Sequence, residues 1–114
     1  MELGGGDKVN AVEAGAFVKE HLSQKAIVNQ IAEEAAELSA AASKLARILD
    51  GENPSPVTLE EAYHSLVEEY GDVMNGIEVL TIPPGYADIL NCRAEKLVRW
   101  AERIQKKNGG NRSE

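Results

Sequence analysis

Two pairs of acidic residues, each spaced by one helical turn, carry the clearest chemical signal in the chain. The first pair is Glu34 and Glu37, and the second is Glu69 and Asp72. At about 100° per residue, the first member of each pair lies roughly 50° from the centre of an apolar stripe, and the second lies further toward solvent. Because the two pairs have the same phase, antiparallel packing of their helices would bring four carboxylates together.

Clustered carboxylates repel one another, so they destabilise a fold unless a cation or a proton neutralises them. Mg²⁺ favours oxygen ligands and commonly links carboxylates to substrate phosphates. The spacing alone leaves two interpretations open: a metal site, or a solvated acidic surface in a chain with 19 acidic residues. Each pair also follows a further glutamate, Glu33 or Glu68, which we expect in a supporting position beside the ligands.

Capping residues and clusters of Gly and Pro predict four helices with no strands. The predicted helices cover residues 10–21, 24–50, 59–80 and 86–107. Asn10 and Thr58 are expected N-caps, with Glu61 completing a capping box, and the sequence leaves open whether Ser23 separates the first two helices. The expected core stripes are Ile27, Ile31, Ala35, Leu38, Ala42, Leu45 and Leu49 on the second helix, and Leu59, Ala62, Leu66, Tyr70, Val73, Ile77 and Leu80 on the third. Four helices with short connections favour an all-α four-helix bundle.

The length of 114 residues predicts one domain, which we place at 9–108, between a flexible lead at 1–8 and a flexible tail at 109–114. The formal charge of −7 argues against a general nucleic-acid binder, which needs a positive surface. No apolar run of about 20 residues or signal peptide is present, so we expect a cytoplasmic protein with no membrane contact. The single cysteine, Cys92, excludes an internal disulfide and is expected to be buried.

The two acidic segments resemble the signature of a known enzyme family. The sequences EEAAE at 33–37 and EEYGD at 68–72 look like the E-E-x-x-E … E-x-x-D pattern of the MazG-like, all-α nucleoside triphosphate pyrophosphohydrolases. That superfamily also includes dimeric dUTPases and phosphoribosyl-ATP pyrophosphohydrolases. The similarity extends from about Lys25 to Arg103, and the connection that holds Pro54 and Pro56 is longer than in many compact members.

The resemblance implies a Mg²⁺-dependent enzyme, with Mn²⁺ as a possible substitute, that cleaves (d)NTP to (d)NMP and pyrophosphate in nucleotide-pool house-cleaning. It implies a homodimer or homotetramer with the active site near a subunit interface. The residues it makes catalytic and metal-binding are Glu34, Glu37, Glu69 and Asp72. It also implies that Asn75 lies near the metal or nucleotide. Glu33 or Glu68 would orient the attacking water or bind a second metal ion.

Basic residues on the fourth helix are candidates for binding the triphosphate. Arg93 falls within the apolar stripe of that helix and Lys96 on its flank, so we predict both as phosphate contacts. The alternative is that they pair with structural carboxylates. A different class of function also stays open: a non-catalytic helical interaction module whose acidic face binds a basic partner. Tyr70 and Trp100 could stack on a base but are more commonly packed at such spacings.

Overall fold

The computed structural model describes residues 9–52, 56–81 and 85–110. Within these ranges the chain forms four helices and no strand, which confirms the all-helical prediction. The helices are α1 (Ala11–His21), α2 (Gln24–Leu49), α3 (Leu59–Val79) and α4 (Tyr86–Gly110). No helix in the described ranges is long and apolar enough to cross a membrane. The predicted lead at 1–8, the tail residues 111–114, and the connecting residues 53–55 and 82–84 lie outside the described residues.

Side-chain caps define where α1 and α2 begin. The side chain of Asn10 accepts a hydrogen bond from the backbone N–H of Glu13 at 2.8 Å, as its predicted N-cap role requires. Ser23 caps α2 in the same way, accepting from the N–H of Ala26 at 3.1 Å. Leu22 between them has extended backbone angles (φ −112°, ψ 141°). The first two helices are therefore separate, which answers the question that the sequence left open.

The predicted capping box opens α3. The Thr58 hydroxyl accepts a hydrogen bond from the Glu61 backbone N–H and donates one to the Glu61 carboxylate, both at 3.1 Å. After α2, Gly51 has a φ of +75°, which ends the helix in a conformation that favours glycine. The predicted end of α4 at residue 107 is wrong, because the helix continues to Gly110. Gly109 does not adopt the positive φ that would end it.

The chain divides into two units, one up to Leu80 that holds α1 to α3, and one from Thr81 onward that holds α4. In the first unit, α2 and α3 pack antiparallel: Ile31 lies beside Gly76, Glu34 near Asp72, and Glu37 near Glu69. Numbers that rise along α2 therefore meet numbers that fall along α3. Helix α1 packs against α3.

The packed faces of α2 and α3 are rotated from the predicted stripes. On α2 the inward positions include Ile27, Ile31, Glu34, Leu38 and Leu45, and on α3 they include Ala62, Leu66, Glu69, Val73 and Gly76. Five residues placed in the predicted stripes are instead exposed: Ala35, Ala42, Leu49, Leu59 and Tyr70. Each predicted stripe combined residues of the packed face with residues of a neighbouring apolar flank that is exposed. Glu34 and Glu69 consequently lie within the packed line rather than beside it.

Helix α4 forms the second unit. Leu97, Trp100 and Ile104 lie at intervals of three and four residues and share one face, and each is more than half exposed. The predicted packing of Trp100 is therefore wrong. The predicted burial of Cys92 is also wrong, because this side chain is exposed on α4.

Candidate metal centre

Helices α2 and α3 approach each other closely at Gly76, beside the acidic residues. A Cβ atom placed on Gly76 would lie 2.6 Å from Cγ1 of Ile31, far inside van der Waals contact. Glycine at this position therefore allows a backbone approach that alanine would prevent. One turn before Gly76 lies Asp72, and one turn after Ile31 lies Glu34. This close contact holds the two acidic segments at short range.

Three carboxylates converge between the helices. Glu34, Glu37 and Glu69 each offer an oxygen atom, and these three atoms lie within 4.8 Å of one another. Glu34 and Glu69 are partly buried, whereas Glu37 is exposed. The Oε2 atoms of Glu34 and Glu69 are both shielded from solvent and lack a hydrogen-bond partner. The other oxygen of Glu34 accepts a hydrogen bond from Nε2 of Gln30 at 2.6 Å.

The pKa values of the two partly buried glutamates respond to this environment. Burial of the carboxylate raises the pKa of Glu34 above its ordinary value, and the nearby Asp72 and Glu37 raise it further, while the Gln30 hydrogen bond opposes the rise. Burial likewise raises the pKa of Glu69, with Glu37 the strongest of its acidic neighbours. Both shifts mean that the charged form is disfavoured in the folded chain.

This donor set fits a divalent cation. Orphaned, buried carboxylate oxygens are costly unless a positive charge lies beside them. Opposite ligands lie about 4 Å apart around Mg²⁺ and almost 5 Å apart around Ca²⁺. Three oxygens that all lie within 4.8 Å of one another are therefore compatible with one shared ion.

The fourth predicted ligand, Asp72, lies outside the group of three converging oxygens. It is exposed, yet close enough to raise the pKa of both Glu34 and Glu69. Of the supporting residues, Glu33 is exposed on α2. Glu68 pairs with His64, one turn earlier on α3, with 2.7 Å between Nε2 and Oε1. The roles given to these three acidic residues stay predictions.

A mostly apolar cleft of about 210 Å³ opens beside the carboxylates. Glu34 and Asp72 lie on its wall, together with the amide side chains of Gln30 and Asn75. Its remaining lining residues are apolar: Val18, Leu22, Ile27, Gly76 and Val79. The structure thus brings Asn75, which only the family resemblance had singled out, into one cleft with the acidic pairs.

Sequence reasoning missed both the cleft and Gln30. The cleft needs α1 in place, and no spacing rule along α2 and α3 locates a third helix. Gln30 could have been found, because it precedes Glu34 by four residues and an i, i+4 amide–carboxylate pair is within hydrogen-bond reach on a helix. Arg93 and Lys96 are exposed on α4 in the second unit, and their predicted phosphate contacts stay predictions.

The chain matches no protein-family model, and neither a search of curated proteins nor a search of solved structures gives a match. The geometry of the carboxylates and the cleft is therefore what supports a function.

Proposed function

We propose that the chain is a Mg²⁺-dependent nucleoside triphosphate pyrophosphohydrolase with the four-helix fold of the MazG-like family. It would cleave (d)NTP to (d)NMP and pyrophosphate and so remove unwanted nucleotides from the cellular pool. The observation that carries this proposal is the pair of buried, unpartnered oxygens of Glu34 and Glu69, which lie within a cluster of carboxylates beside an apolar cleft.

Glu34, Glu37 and Glu69 are the proposed holders of the ion, with Asp72 beside them. When bound, Mg²⁺ or Mn²⁺ supplies positive charge for the phosphate oxygens and increases the acidity of water. The protein contributes the fixed positions of the carboxylates, since the glutamates lie on two helices that approach each other closely at Gly76. Gln30 orients Glu34 by its hydrogen bond and leaves the other carboxylate oxygen available.

In the proposed reaction, a water oxygen bonds to the α-phosphorus while the bond from that phosphorus to the oxygen bridging to the β-phosphorus breaks. A carboxylate of the cluster accepts the water's proton, and pyrophosphate leaves with the bridging oxygen. The apolar wall of the cleft excludes bulk water from the nucleoside, and the Asn75 amide offers a donor and an acceptor to it.

The alternative function, a helical interaction module with an acidic face, requires a different environment around the same carboxylates. A surface that recognises a basic partner works best with solvated, ionised carboxylates. Partial burial of Glu34 and Glu69, with orphaned oxygens and raised pKa values, disfavours ionisation instead. These features favour the metal centre over the interaction module.

The proposal is tested by measuring pyrophosphate and phosphate release from a panel of ribo- and deoxyribonucleoside triphosphates, with Mg²⁺ and with excess chelator. We expect pyrophosphate release that stops in chelator, at rates that rank the panel. Thermal melts of the same samples should show stabilisation by Mg²⁺, because an ion that binds only the folded chain shifts the folding equilibrium. Absence of both release and stabilisation would favour the interaction module.

A matched pair of variants on α3 locates the activity. Glu69→Gln removes a charge from the converging oxygens, and Glu78→Gln removes one from an exposed position elsewhere on the same helix. We expect Glu69→Gln to lose at least 100-fold in rate while it keeps its helical content, since it loses a ligand rather than packing. Glu78→Gln should keep the wild-type rate. Full activity in Glu69→Gln would refute the site.

A further inference from the structure

The lining of the cleft changes in chemical character along α2 and α3. Because the two helices are antiparallel, positions along them order the lining into three successive levels. Glu34 lies at one end, and Ile27 lies at the other, about 10.5 Å away at 1.5 Å per residue. The levels are a carboxylate level with Glu34 and Asp72, an amide level with Gln30 and Asn75, and an apolar level with Ile27 and Val79.

Helix α1 and the residue that follows it add a wall at the apolar level, through Val18 and Leu22. Helix α1 packs on α3 at this level, since a Cβ atom placed on Gly15 would lie 4.0 Å from Cγ1 of Val79. Leu22 directly precedes Ser23, the cap of α2, and therefore lies at the same end of α2 as Ile27. The resemblance to the MazG-like family begins only at about Lys25, so it assigns no role to this wall.

The backbone holds Leu22 in place on both sides. Its N–H donates a hydrogen bond to the carbonyl oxygen of Val18 at 2.9 Å, and the next residue, Ser23, caps α2 through its side chain. The Leu22 side chain is 46% exposed although it lines the cleft, so part of its apolar surface is accessible to a ligand. A side chain on a fixed backbone distinguishes ligands of different size better than one on a mobile segment.

The order of the three levels matches the order of the groups in a nucleoside triphosphate. With the phosphates and their cation at the carboxylate level, the polar sugar lies beside the amides and the flat base reaches the apolar level. The cleft of about 210 Å³ is smaller than the roughly 300–1,000 Å³ of pockets that enclose a drug-sized ligand. Any further wall would only reduce this volume. The apolar level therefore suits a one-ring base better than a two-ring base.

We propose that Leu22 and Val18 determine which base the cleft accepts, and that they favour a one-ring base, so that pyrimidine nucleoside triphosphates are the preferred substrates. The inference rests on the proposed function, because it takes the substrate to be a nucleoside triphosphate. The family resemblance does not decide the base, since the superfamily includes enzymes for a pyrimidine nucleotide, dUTP, and for a purine nucleotide, phosphoribosyl-ATP.

The test compares kcat/KM for dCTP and dTTP with kcat/KM for dATP and dGTP, in Mg²⁺, on the full-length chain. We expect the wild type to favour the pyrimidine nucleotides by at least about 10-fold, the order of discrimination that an apolar pocket provides. Leu22→Ala enlarges the apolar level and should reduce this ratio about 10-fold. Val18→Ala should change the ratio in the same direction.

Two variants serve as controls. Leu22→Met nearly conserves side-chain volume and should keep the wild-type ratio. Val12→Ala, at a residue of α1 that is 84% exposed and does not line the cleft, should also keep it. Both substrates are measured on the same sample, so a loss of folded protein in a variant cancels from the ratio.

The possible failures are distinguishable. Pyrophosphate release at equal rates from all four nucleotides, or faster release from the purine nucleotides, would overturn the inference and leave the proposed function standing. A wild-type ratio that persists in Leu22→Ala would show that this side chain does not select the base. No release from any nucleotide would overturn the proposed function, and this inference with it.

Discussion

Glu34 and Glu69 are acidic residues in positions where a helix pair normally places apolar side chains. Each occupies an inward position of a helix pair, and each has one carboxylate oxygen with neither solvent nor a donor beside it. A leucine at either position would pack better in an apolar interface. Carboxylates at such positions reduce the stability of the metal-free chain, and a cation would offset that loss.

The raised pKa values predict the sign of a pH effect in chelator. An acid whose pKa is higher in the folded than in the unfolded chain binds more protons when folded, over the window between the two values. Stability therefore falls as pH rises from about 4.5, the ordinary glutamate value, through the raised values of Glu34 and Glu69. We expect urea denaturation to show this fall, and Glu69→Gln to reduce it.

The wild type and Glu69→Gln are compared at each pH, so contributions from acidic residues that do not interact with Glu69 cancel. The advantage of Glu69→Gln in free energy of unfolding should be small near pH 4 and largest near pH 8. A difference that is constant across this range would contradict the raised pKa of Glu69.

Gln30 offers a second test at the scale of single residues. Its hydrogen bond to Glu34 fixes that carboxylate, and outer hydrogen bonds of this kind affect metal affinity. We expect Gln30→Ala to weaken Mg²⁺ binding about 10-fold, measured as the Mg²⁺ dependence of the melting temperature. Asn29→Ala removes a neighbouring exposed amide and serves as the control. Equal Mg²⁺ dependence in the two variants would contradict this role.

The sequence predicted the acidic cluster because residue spacing alone determines which side chains share a helix face. Glu34, Glu37 and Glu69 converge as their matched phase predicted. Their degree of burial was not predictable, because it depends on the rotation of each helix about its own axis. A rotation of about 20–30° separates the predicted stripes from the packed faces and brings the carboxylates into the packed line.

At the scale of helices, Gly76 determines how closely α3 approaches α2. An alanine there would bring its Cβ within 2.6 Å of an Ile31 side chain, and a β-branched residue in a helix has little freedom to rotate away. Gly71 lies in the same helix, and a Cβ placed there would meet nothing within 4 Å. Alanine substitutions at the two positions therefore distinguish the effect of helix propensity on stability from the effect of packing.

We expect Gly71→Ala to stabilise the chain by roughly 0.5–1 kcal/mol, the usual gain when alanine replaces glycine inside a helix. Gly76→Ala should destabilise it by about 1–2 kcal/mol despite the same gain, because the helices must move apart. Urea denaturation measures both changes, and Gly76→Ala should also bind Mg²⁺ more weakly. Similar stabilisation by both substitutions would contradict the close approach at Gly76.

Helix ends were more predictable than helix packing. Asn10 and Thr58 cap their helices through local hydrogen bonds, so a few adjacent residues contain the necessary information. The end of α4 was not predicted, since glycine permits a helix to stop without requiring it. The rotation of α2 and α3 was not predicted because their apolar residues extend over both the packed face and a neighbouring exposed flank.

At the scale of the whole molecule, charge is distributed unevenly. Residues 1–80 contain 15 acidic and 5 basic side chains, whereas residues 81–114 contain 4 acidic and 7 basic. The acidic helices therefore carry the self-repulsion that a bound cation would reduce. The length of 114 residues predicts one domain, and this stays a prediction. Length could not predict which flank of each helix is exposed, because that depends on how the packed helices are rotated about their axes.

The register between α2 and α3 has a consequence for how such a chain can diverge. The matched pairs Ile31 with Gly76 and Glu37 with Glu69 are set by contacts inside the hairpin. Both pairs join residues that lie within the two helices. Residues can therefore be gained or lost between Leu49 and Leu59 without displacing a carboxylate, whereas one residue inserted within either helix would swing its acidic pair by about 100°. Related chains should vary in the joining segment and keep the lengths on either side of it.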